Sequence, residues 1–167
     1  MSIKAVQIVF VSIVIATLSG CGFQLRGDYL MSEELNRMYV SGGEKYSPIH
    51  REVRRRLELN GTQLMAEPSD DYPTLRLGRV SRTKRTLSLY ENGQVAEYEM
   101  SYRINSSLIS PKHNNQVYPI NVKMHRDFQD NPLSSLAKQR EEDMLDKEIN
   151  GLAADQIIRQ LAAIQFD

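Results

Sequence analysis

The chain has 167 residues, and its 21 basic and 21 acidic side chains give no net formal charge. Overall charge therefore provides no argument for a nucleic-acid partner. The single cysteine excludes an internal disulfide and a metal cluster held by several thiolates. The length fits one domain with one hydrophobic core.

The first residues have the layout of a secretory signal peptide. Lys4 precedes an uncharged, mostly apolar run from Ala5 to Leu18, which is short for a membrane-spanning helix of about 20 residues. A transmembrane anchor is the alternative that this length disfavours. The sequence Leu18-Ser19-Gly20-Cys21 resembles the bacterial lipobox, in which the leader is cut before an acylated cysteine. We expect residues 1–20 to be a lipoprotein signal peptide and Cys21 to be the lipidated first residue of the mature protein.

The residue after the cysteine bears on the destination of the protein. It is Gly22, where an aspartate would resemble the signal that retains lipoproteins in the inner membrane. Each buried methylene of an acyl chain contributes about 0.8 kcal/mol, so several chains on Cys21 would form a lasting anchor. The sequence therefore predicts a lipid-anchored protein of the outer membrane.

The first third of the mature chain predicts a tether, a strand and a helix. The helix has one apolar stripe, because Ile49, Val53 and Leu57 recur every four residues. Four arginines lie mostly off this stripe, and a solvated helix face is their ordinary interpretation. In chain order, the predictions are an extended tether over residues 21–34, a strand over 37–40 before Gly42-Gly43, and a helix from Ser47-Pro48 to Asn60-Gly61 that carries Arg51, Arg54, Arg55 and Arg56.

The middle of the chain alternates apolar and polar residues, which predicts three long strands. Asn92-Gly93 lies between the runs 74–90 and 95–109, and this dipeptide between alternating runs is a strong signal of a β-hairpin. A third run covers 118–128. Its apolar face and that of the second run are assigned to the core, and the alternate residues to solvent. The core residues are Ala96, Tyr98, Met100, Tyr102, Ile104 and Leu108 in one run and Tyr118, Ile120, Val122, Met124 and Phe128 in the other.

A long helix is predicted at the end of the chain, from the cap Asn131-Pro132 to about Ile164. Gly151 interrupts it at a cost of about 1 kcal/mol relative to alanine. Two helices covering one face of a four-stranded sheet would bury every apolar stripe, which predicts a single-domain α+β fold. The apolar stripe of the last helix consists of Ile149, Leu152, Ile157, Leu161 and Ile164.

The hairpin carries a candidate anion site. A two-residue Asn92-Gly93 turn would place Leu89 opposite Ala96, Leu77 opposite Leu108, and Arg82 opposite Arg103 with Lys84 close by. Like charges directly opposite destabilise a strand pair unless an anion or nearby carboxylates neutralise them. A phosphate site is the functional interpretation, since guanidinium groups bind phosphate oxygens in pairs. The ordinary interpretation is a solvated face whose positive charges are neutralised by Glu97 and Glu99.

A catalytic role finds no support in the sequence. His50, His113 and His125 fall on a predicted helix, a loop and a solvent-facing strand position, without metal-ligand spacing between them. The chain has no nucleophile motif, no glycine-rich phosphate loop and no pair of histidines of the HExxH type. We therefore expect a binding protein with no metal and no cofactor, and not an enzyme.

An ordered series of short motifs resembles one family, the LPS-assembly lipoprotein LptE. The resemblance covers essentially the whole mature chain. Its motifs are Cys21-Gly22-Phe23-Gln24-Leu25-Arg26-Gly27, Leu59-Asn60-Gly61, Leu75-Arg76-Leu77-Gly78, Asn92-Gly93-Gln94, Ala96-Glu97-Tyr98 and Asp130-Asn131-Pro132.

The resemblance implies a mixed sheet and a place inside a larger assembly. Members of this family plug the lumen of the outer-membrane β-barrel LptD, which inserts lipopolysaccharide into the outer leaflet. The family is also credited with binding lipopolysaccharide through basic residues, and Lys138 matches such a position. Glu91 at the hairpin tip is acidic where family members can be basic, which weighs against an anion site at the tip. The alternative is an auxiliary lipoprotein of a lipid ABC-transport system, which would associate with an inner-membrane complex instead of a barrel.

Overall fold

A computed structural model describes residues 31–42, 44, 46–129 and 135–166, with the side chains of 135–138 left out. The predicted signal peptide, the lipidated Cys21, most of the tether and the Asn131-Pro132 cap lie outside the described residues. Where the tether was expected to end, Glu33–Leu35 form a 3-10 turn, and Leu35 is fully buried.

The described residues form two helices and one six-stranded sheet. A second 3-10 turn, Pro111–His113, joins the last two strands. The helices are α1 (Pro48–Leu59) and α2 (Ser135–Ala162), and the strands are β1 (Arg37–Ser41), β2 (Gln63–Met65), β3 (Thr74–Arg76), β4 (Val80–Leu89), β5 (Val95–Ser110) and β6 (Gln116–Gln129).

The sheet is mixed, and β5 is its long central strand. β2 and β3 flank β1 and run parallel to it, whereas β3, β4 and β6 all run antiparallel to β5. β6 pairs along one side of β5, while β3 and β4 share the other side. The α+β fold is therefore confirmed, with six strands instead of four. One extra strand is β2, and the other arises because the predicted strand 74–90 is divided at Leu77, Gly78 and Arg79.

The predicted faces are confirmed for the second half of β5 and for β6, whereas residues 95–101 of β5 are half-buried on both faces. Tyr102, Ile104 and Leu108 of β5 are buried, and Arg103 and Asn105 between them are exposed. On β6 the buried residues are Ile120, Val122 and Phe128, which are separated by even numbers of residues and so share one face. Alternation gives one apolar face, and the helices supply the apolar surface that covers it.

α1 forms as predicted. The Ser47 hydroxyl accepts a hydrogen bond from the backbone N–H of His50 at 3.4 Å, and Pro48 begins the helix. Ile49, Val53 and Leu57 are buried. One arginine departs from the expected solvated face. Arg56 is only partly exposed and forms an ion pair with Asp155 of α2.

α2 differs from the prediction in one part of its apolar stripe. Ile149, Ile157 and Leu161 are buried, but Leu152 is 38% exposed. Ala153, Ala154 and Ile158 are buried in addition. Positions four residues apart lie on one side of a helix, and the series 149, 153, 157 and 161 follows that spacing. Leu152 falls outside it.

The predicted hairpin register is wrong by one residue. The N–H of Tyr90 donates to the carbonyl oxygen of Gln94 at 2.8 Å, and Gly93 has a φ of +79°. The loop is therefore the three-residue type with a left-handed glycine, not the two-residue type. Because a slip of one residue moves every side chain to the other face, Arg82 lies opposite Tyr102 and not opposite Arg103. Leu89 likewise pairs with Val95. On β3 the offset is two residues, so Leu75 takes the place predicted for Leu77 opposite Leu108 and the predicted face is kept.

Candidate functional site

The corrected register gathers cations and aromatic rings on the helix side of the sheet. Arg82 and Lys84 lie opposite Tyr102 and Met100 on β5, and cross-strand partners share a face. We call this group the hairpin cluster. It consists of Arg82, Lys84, Tyr98, Tyr102, Phe128 and Asp146.

Asp146 of α2 connects the two strands to the helix. Its carboxylate forms an ion pair with the Arg82 guanidinium at 2.9 Å and accepts a hydrogen bond from the Tyr102 hydroxyl at 3.3 Å. The Arg82 guanidinium also lies 6.0 Å from the centre of the Tyr102 ring. Arg82 remains 53% exposed, so the pair adds little stability, and the outer side of the guanidinium faces solvent.

The pKa of Tyr102 is raised above the ordinary tyrosine value. Burial is the main cause, the negative charge of Asp146 adds to it, and the nearby Arg82 opposes it. The phenol therefore stays protonated and acts as the donor to Asp146.

Lys84 is held by aromatic rings. Its ammonium nitrogen lies 3.7 Å from the centre of the Tyr98 ring and 5.0 Å from that of Phe128. The two rings are 5.4 Å apart. Over the ranges described, Lys84 has no carboxylate within ion-pair distance. Its charge is oriented by cation–π contacts and remains available to an anion from outside.

A cleft of about 490 Å³ adjoins the cluster between the start of α1, the sheet and α2. Arg82 and Tyr102 are part of its lining, together with apolar side chains from both helices and the sheet. A ligand that carries both an anionic group and an apolar part would find both kinds of contact here. The apolar contributors are Ile49, Val80, Ile104 and Ile149, and the charged ones are Glu44, Arg79, Asp143, Asp146 and Lys147.

The four basic residues proposed from sequence do not form one site. Arg82 and Lys84 lie together, but Arg103 lies on the opposite face of the sheet, where its partners are Ser81 and Lys123. Lys138 belongs to the first turn of α2, and its side chain is among those that the structure does not describe. The like-charged pair expected at Arg82 and Arg103 therefore exists instead at Arg103 and Lys123.

The histidines do not converge. His113 contacts Glu34 at 2.9 Å, and His125 contacts Ser101 at the same distance on the far face of the sheet. In the described part of the chain, no three acidic, histidine or cysteine side chains are placed to hold a metal ion. No helix within that part has the length and apolar character to span a bilayer.

The sequence did not indicate that Asp146, Tyr98 and Phe128 belong to the hairpin cluster. Asp146 is 44 residues from Tyr102, and no local pattern indicates which helical turn reaches the strand. Tyr98 and Phe128 were assigned to the core face, but Lys84 was assigned to the other one. A three-residue hairpin loop would have placed Lys84 on the same face as Tyr98 and Phe128.

Comparisons with known proteins agree on one family. A family model described as LptE, lipopolysaccharide-assembly, matches residues 35–161. The "LPS-assembly lipoprotein LptE" of Photorhabdus laumondii is 35% identical over 146 residues, which cover 87% of this chain and 79% of that protein. The protein of the same name from Yersinia enterocolitica is 32% identical over 160 residues, covering 95% and 76%.

A solved structure gives the same result for the fold. The crystal structure of rare lipoprotein B from Shewanella oneidensis is 36% identical to this chain, with a TM-score of 0.69. The match covers 76% of this chain and 94% of that one. The six-stranded sheet with two helices is therefore similar to that of a known lipoprotein.

Proposed function

We propose that this chain, which belongs to the LptE lipopolysaccharide-assembly family, is an outer-membrane lipoprotein that works by binding lipopolysaccharide and not by catalysis. Two of its relatives are named LPS-assembly lipoproteins, and the matches to them cover 79% and 76% of their lengths. The lipobox at Cys21 supplies the membrane anchor, since several acyl chains hold a protein on a bilayer. No metal or cofactor is part of this proposal.

The hairpin cluster is the proposed contact with lipopolysaccharide. The observation that carries it is the Lys84 ammonium, which is oriented by two aromatic rings. It lies two residues from Arg82, which lines a cleft that has both apolar and charged side chains. Lipopolysaccharide combines phosphate groups with acyl chains, and both kinds of contact are available at this place. Guanidinium and ammonium groups bind phosphate through charge-assisted hydrogen bonds.

Lys138 extends the proposed basic region along α2. Gln160 pairs with Asn121, and Glu148 with Arg126, so α2 runs antiparallel to β6. Its first turn therefore lies towards the hairpin end of the sheet. At 1.5 Å per residue, the backbone of Lys138 is about 12 Å along the helix from Asp146. Arg103 is not retained in the proposed site because it lies on the other face.

Removing both cations of the cluster should weaken lipopolysaccharide binding. Charge-assisted hydrogen bonds contribute roughly 1.5–3 kcal/mol each, so Arg82→Ala/Lys84→Ala should reduce affinity more than about tenfold. The matched control is Arg103→Ala/Lys123→Ala, which removes the same charge from the opposite face and should bind nearly as well as the unaltered protein. Affinity is measured at low and high salt, with a thermal melt of each variant.

Two results would contradict this site. Equal losses in both double variants would mean that binding follows net charge alone. Unchanged affinity in Arg82→Ala/Lys84→Ala, with a normal melt, would move the site away from the hairpin cluster and make Lys138 the next residue to test.

We further propose that the domain is a plug in the lumen of an LptD-type barrel. Supporting this, the sheet face without helices is polar and includes Ser101, Arg103, Asn105, Asn121 and Lys123, and the interior of an outer-membrane barrel is polar too. Mass spectrometry of the complex after extraction in mild detergent should find this chain and a large outer-membrane barrel in equal amounts. Recovery with inner-membrane transport proteins instead would favour the auxiliary lipoprotein of an ABC-transport system.

A further inference from the structure

The outer side of β6 is an edge of the sheet, since β5 is its only strand partner in the described part of the chain. The main-chain N–H of Asn121 donates to the Gln160 side-chain oxygen at 3.1 Å, and the Gln160 amide nitrogen donates to the Asn121 carbonyl oxygen at 2.9 Å. Both main-chain groups of Asn121 therefore point away from β5. In an antiparallel pair this direction alternates along the strand, so those of Lys123, His125 and Asp127 point outward as well.

One part of this edge is blocked and the next part is open. Pro119 has no N–H to offer, and Gln160 occupies the outward groups of Asn121. Exposed edges are templates for a further strand, and a proline or a covering side chain prevents such pairing. From Lys123 to Asp127 the described structure has neither device, and the outward main-chain groups have no hydrogen-bond partner within it. We call this stretch the β6 edge.

A cleft of about 260 Å³ lies between the β6 edge and α2. Its apolar lining is Met124 of β6, the buried Ile149 and Leu152, which is 38% exposed. Met124 is on the helix side of the sheet, because it pairs with the buried Tyr102. A strand added to β6 would place every second side chain on that side, where an apolar one would cover Leu152. The other residues of the lining are His125, Arg126, Gln156 and Arg159.

The end of the β6 edge at Lys123 is basic. Lys123 lies opposite Arg103 of β5 on the side of the sheet without helices, and the exposed Arg159 of α2 lines the cleft. None of these three cations has an ion pair within the ranges that the structure describes. Like charges directly opposite destabilise a strand pair. A carboxylate opposite Lys123 on an added strand would relieve that repulsion.

We propose that the β6 edge binds an extended segment of another polypeptide chain as an additional strand, with an apolar side chain against Leu152 and an acidic one beside Lys123. In this mode of binding, main-chain hydrogen bonds provide affinity and side-chain pockets provide specificity. A second copy of this protein fits less well. α2 reaches the edge at Gln160, so pairing edge to edge would bring two such helices together, whereas a single strand carries no helix. The site takes a peptide and does not depend on lipopolysaccharide binding.

The probe is a capped, fluorescent peptide of about seven residues, a common strand length, in which one leucine lies between two glutamates and threonines complete the sequence. This pattern is symmetric, so it fits the edge in either direction. Fluorescence anisotropy with full-length protein in a neutral detergent measures the affinity. Hydrogen exchange followed by mass spectrometry should become slower in residues 122–129 when the peptide binds, because the outward N–H groups gain acceptors.

A second peptide separates main-chain pairing from side-chain contacts. It has the same side chains, but the backbone nitrogens of its central residues are methylated and cannot donate. It should bind at least about tenfold more weakly, as expected for the loss of two or more hydrogen bonds. The proposal is wrong if the unmethylated peptide does not bind, or if methylation leaves its affinity unchanged.

Lys123→Glu tests the charge of the edge. It should weaken binding of the glutamate peptide at least about tenfold and strengthen binding of a peptide with lysines in place of the glutamates. The matched control is Lys112→Glu, which makes the same change at an exposed residue in the turn before β6 and should bind like the unaltered protein. Thermal melts show that both variants fold.

Two further results would overturn the proposal. Equal losses in Lys123→Glu and Lys112→Glu would mean that binding follows net charge and not the β6 edge. A dimer in analytical ultracentrifugation, with slow exchange of residues 122–129 in the absence of peptide, would make a second copy of the chain the occupant.

Discussion

Ile104→Asp is expected to leave the domain unfolded at room temperature, whereas Asn105→Asp should melt like the unaltered protein. Ile104 is 1% exposed, and its cross-strand partners are Val80 and Val122. A carboxylate at this position would be surrounded by the apolar core. Burial of an unpaired carboxylate costs several kcal/mol, which is comparable to the total stability of about 5–15 kcal/mol of a domain. Asn105 is exposed on the other face, so a carboxylate there stays in water.

Circular dichroism during thermal and urea unfolding measures this difference. Lowering the pH should restore part of the stability of Ile104→Asp. Burial raises the pKa of the introduced carboxyl, so the neutral form is the one that the core tolerates, and the stability lost at neutral pH returns as the group is protonated. If the two variants melted at the same temperature, the assignment of faces on β5 would be wrong.

The faces of β5 and β6 could be predicted from sequence because one side of the sheet is covered. Burial on one side and water on the other impose a period of two, which β5 shows from Tyr102 to Ser110 and β6 over most of its length. α1 could be predicted for a related reason. Its cap, its proline and its apolar stripe are all local signals between Ser47 and Leu57.

The register of β4 against β5 could not be predicted, because β4 lacks that alternation. From Ser81 to Leu87 every residue is exposed, so no apolar set indicates which face is which. The turn did not decide it either, since Asn-Gly fits a two-residue loop and Gly93 equally suits the left-handed position of a three-residue loop. The error of one residue moved Arg82 and Lys84 to the wrong face.

The candidate site was therefore predicted in part. Arg82 and Lys84 were identified as cations beside each other on one strand, and they do lie together. Their partners were not identified, because Asp146 comes from a helix whose contact with β5 depends on tertiary packing. Arg103 was joined to them by a register that the structure does not have.

The break in the predicted strand 74–90 depends on a close contact between two main-chain segments that are distant in sequence. Gly78 lies between β3 and β4, and its N–H donates to the Ser106 hydroxyl at 3.2 Å. A Cβ atom at Gly78 would overlap the carbonyl oxygen of Asn105 and lie 2.8 Å from its carbonyl carbon. The glycine is required here by the approach of two main chains, since backbone atoms of β5 cannot rotate away as a side chain could.

Gly78→Ala should therefore destabilise the domain by about 2–3 kcal/mol, as for overpacking that forces the backbone to shift, and lower the Tm by roughly 10 °C. Gly151→Ala is the matched control, since a Cβ there meets only the Arg56 side chain at an ordinary 3.5 Å. Within α2 the added methyl should stabilise the helix by up to about 1 kcal/mol. The same substitution is thus expected to lower the Tm at one glycine and to raise it at the other. If thermal melts moved both variants in the same direction, the close approach of residue 78 to β5 would be wrong.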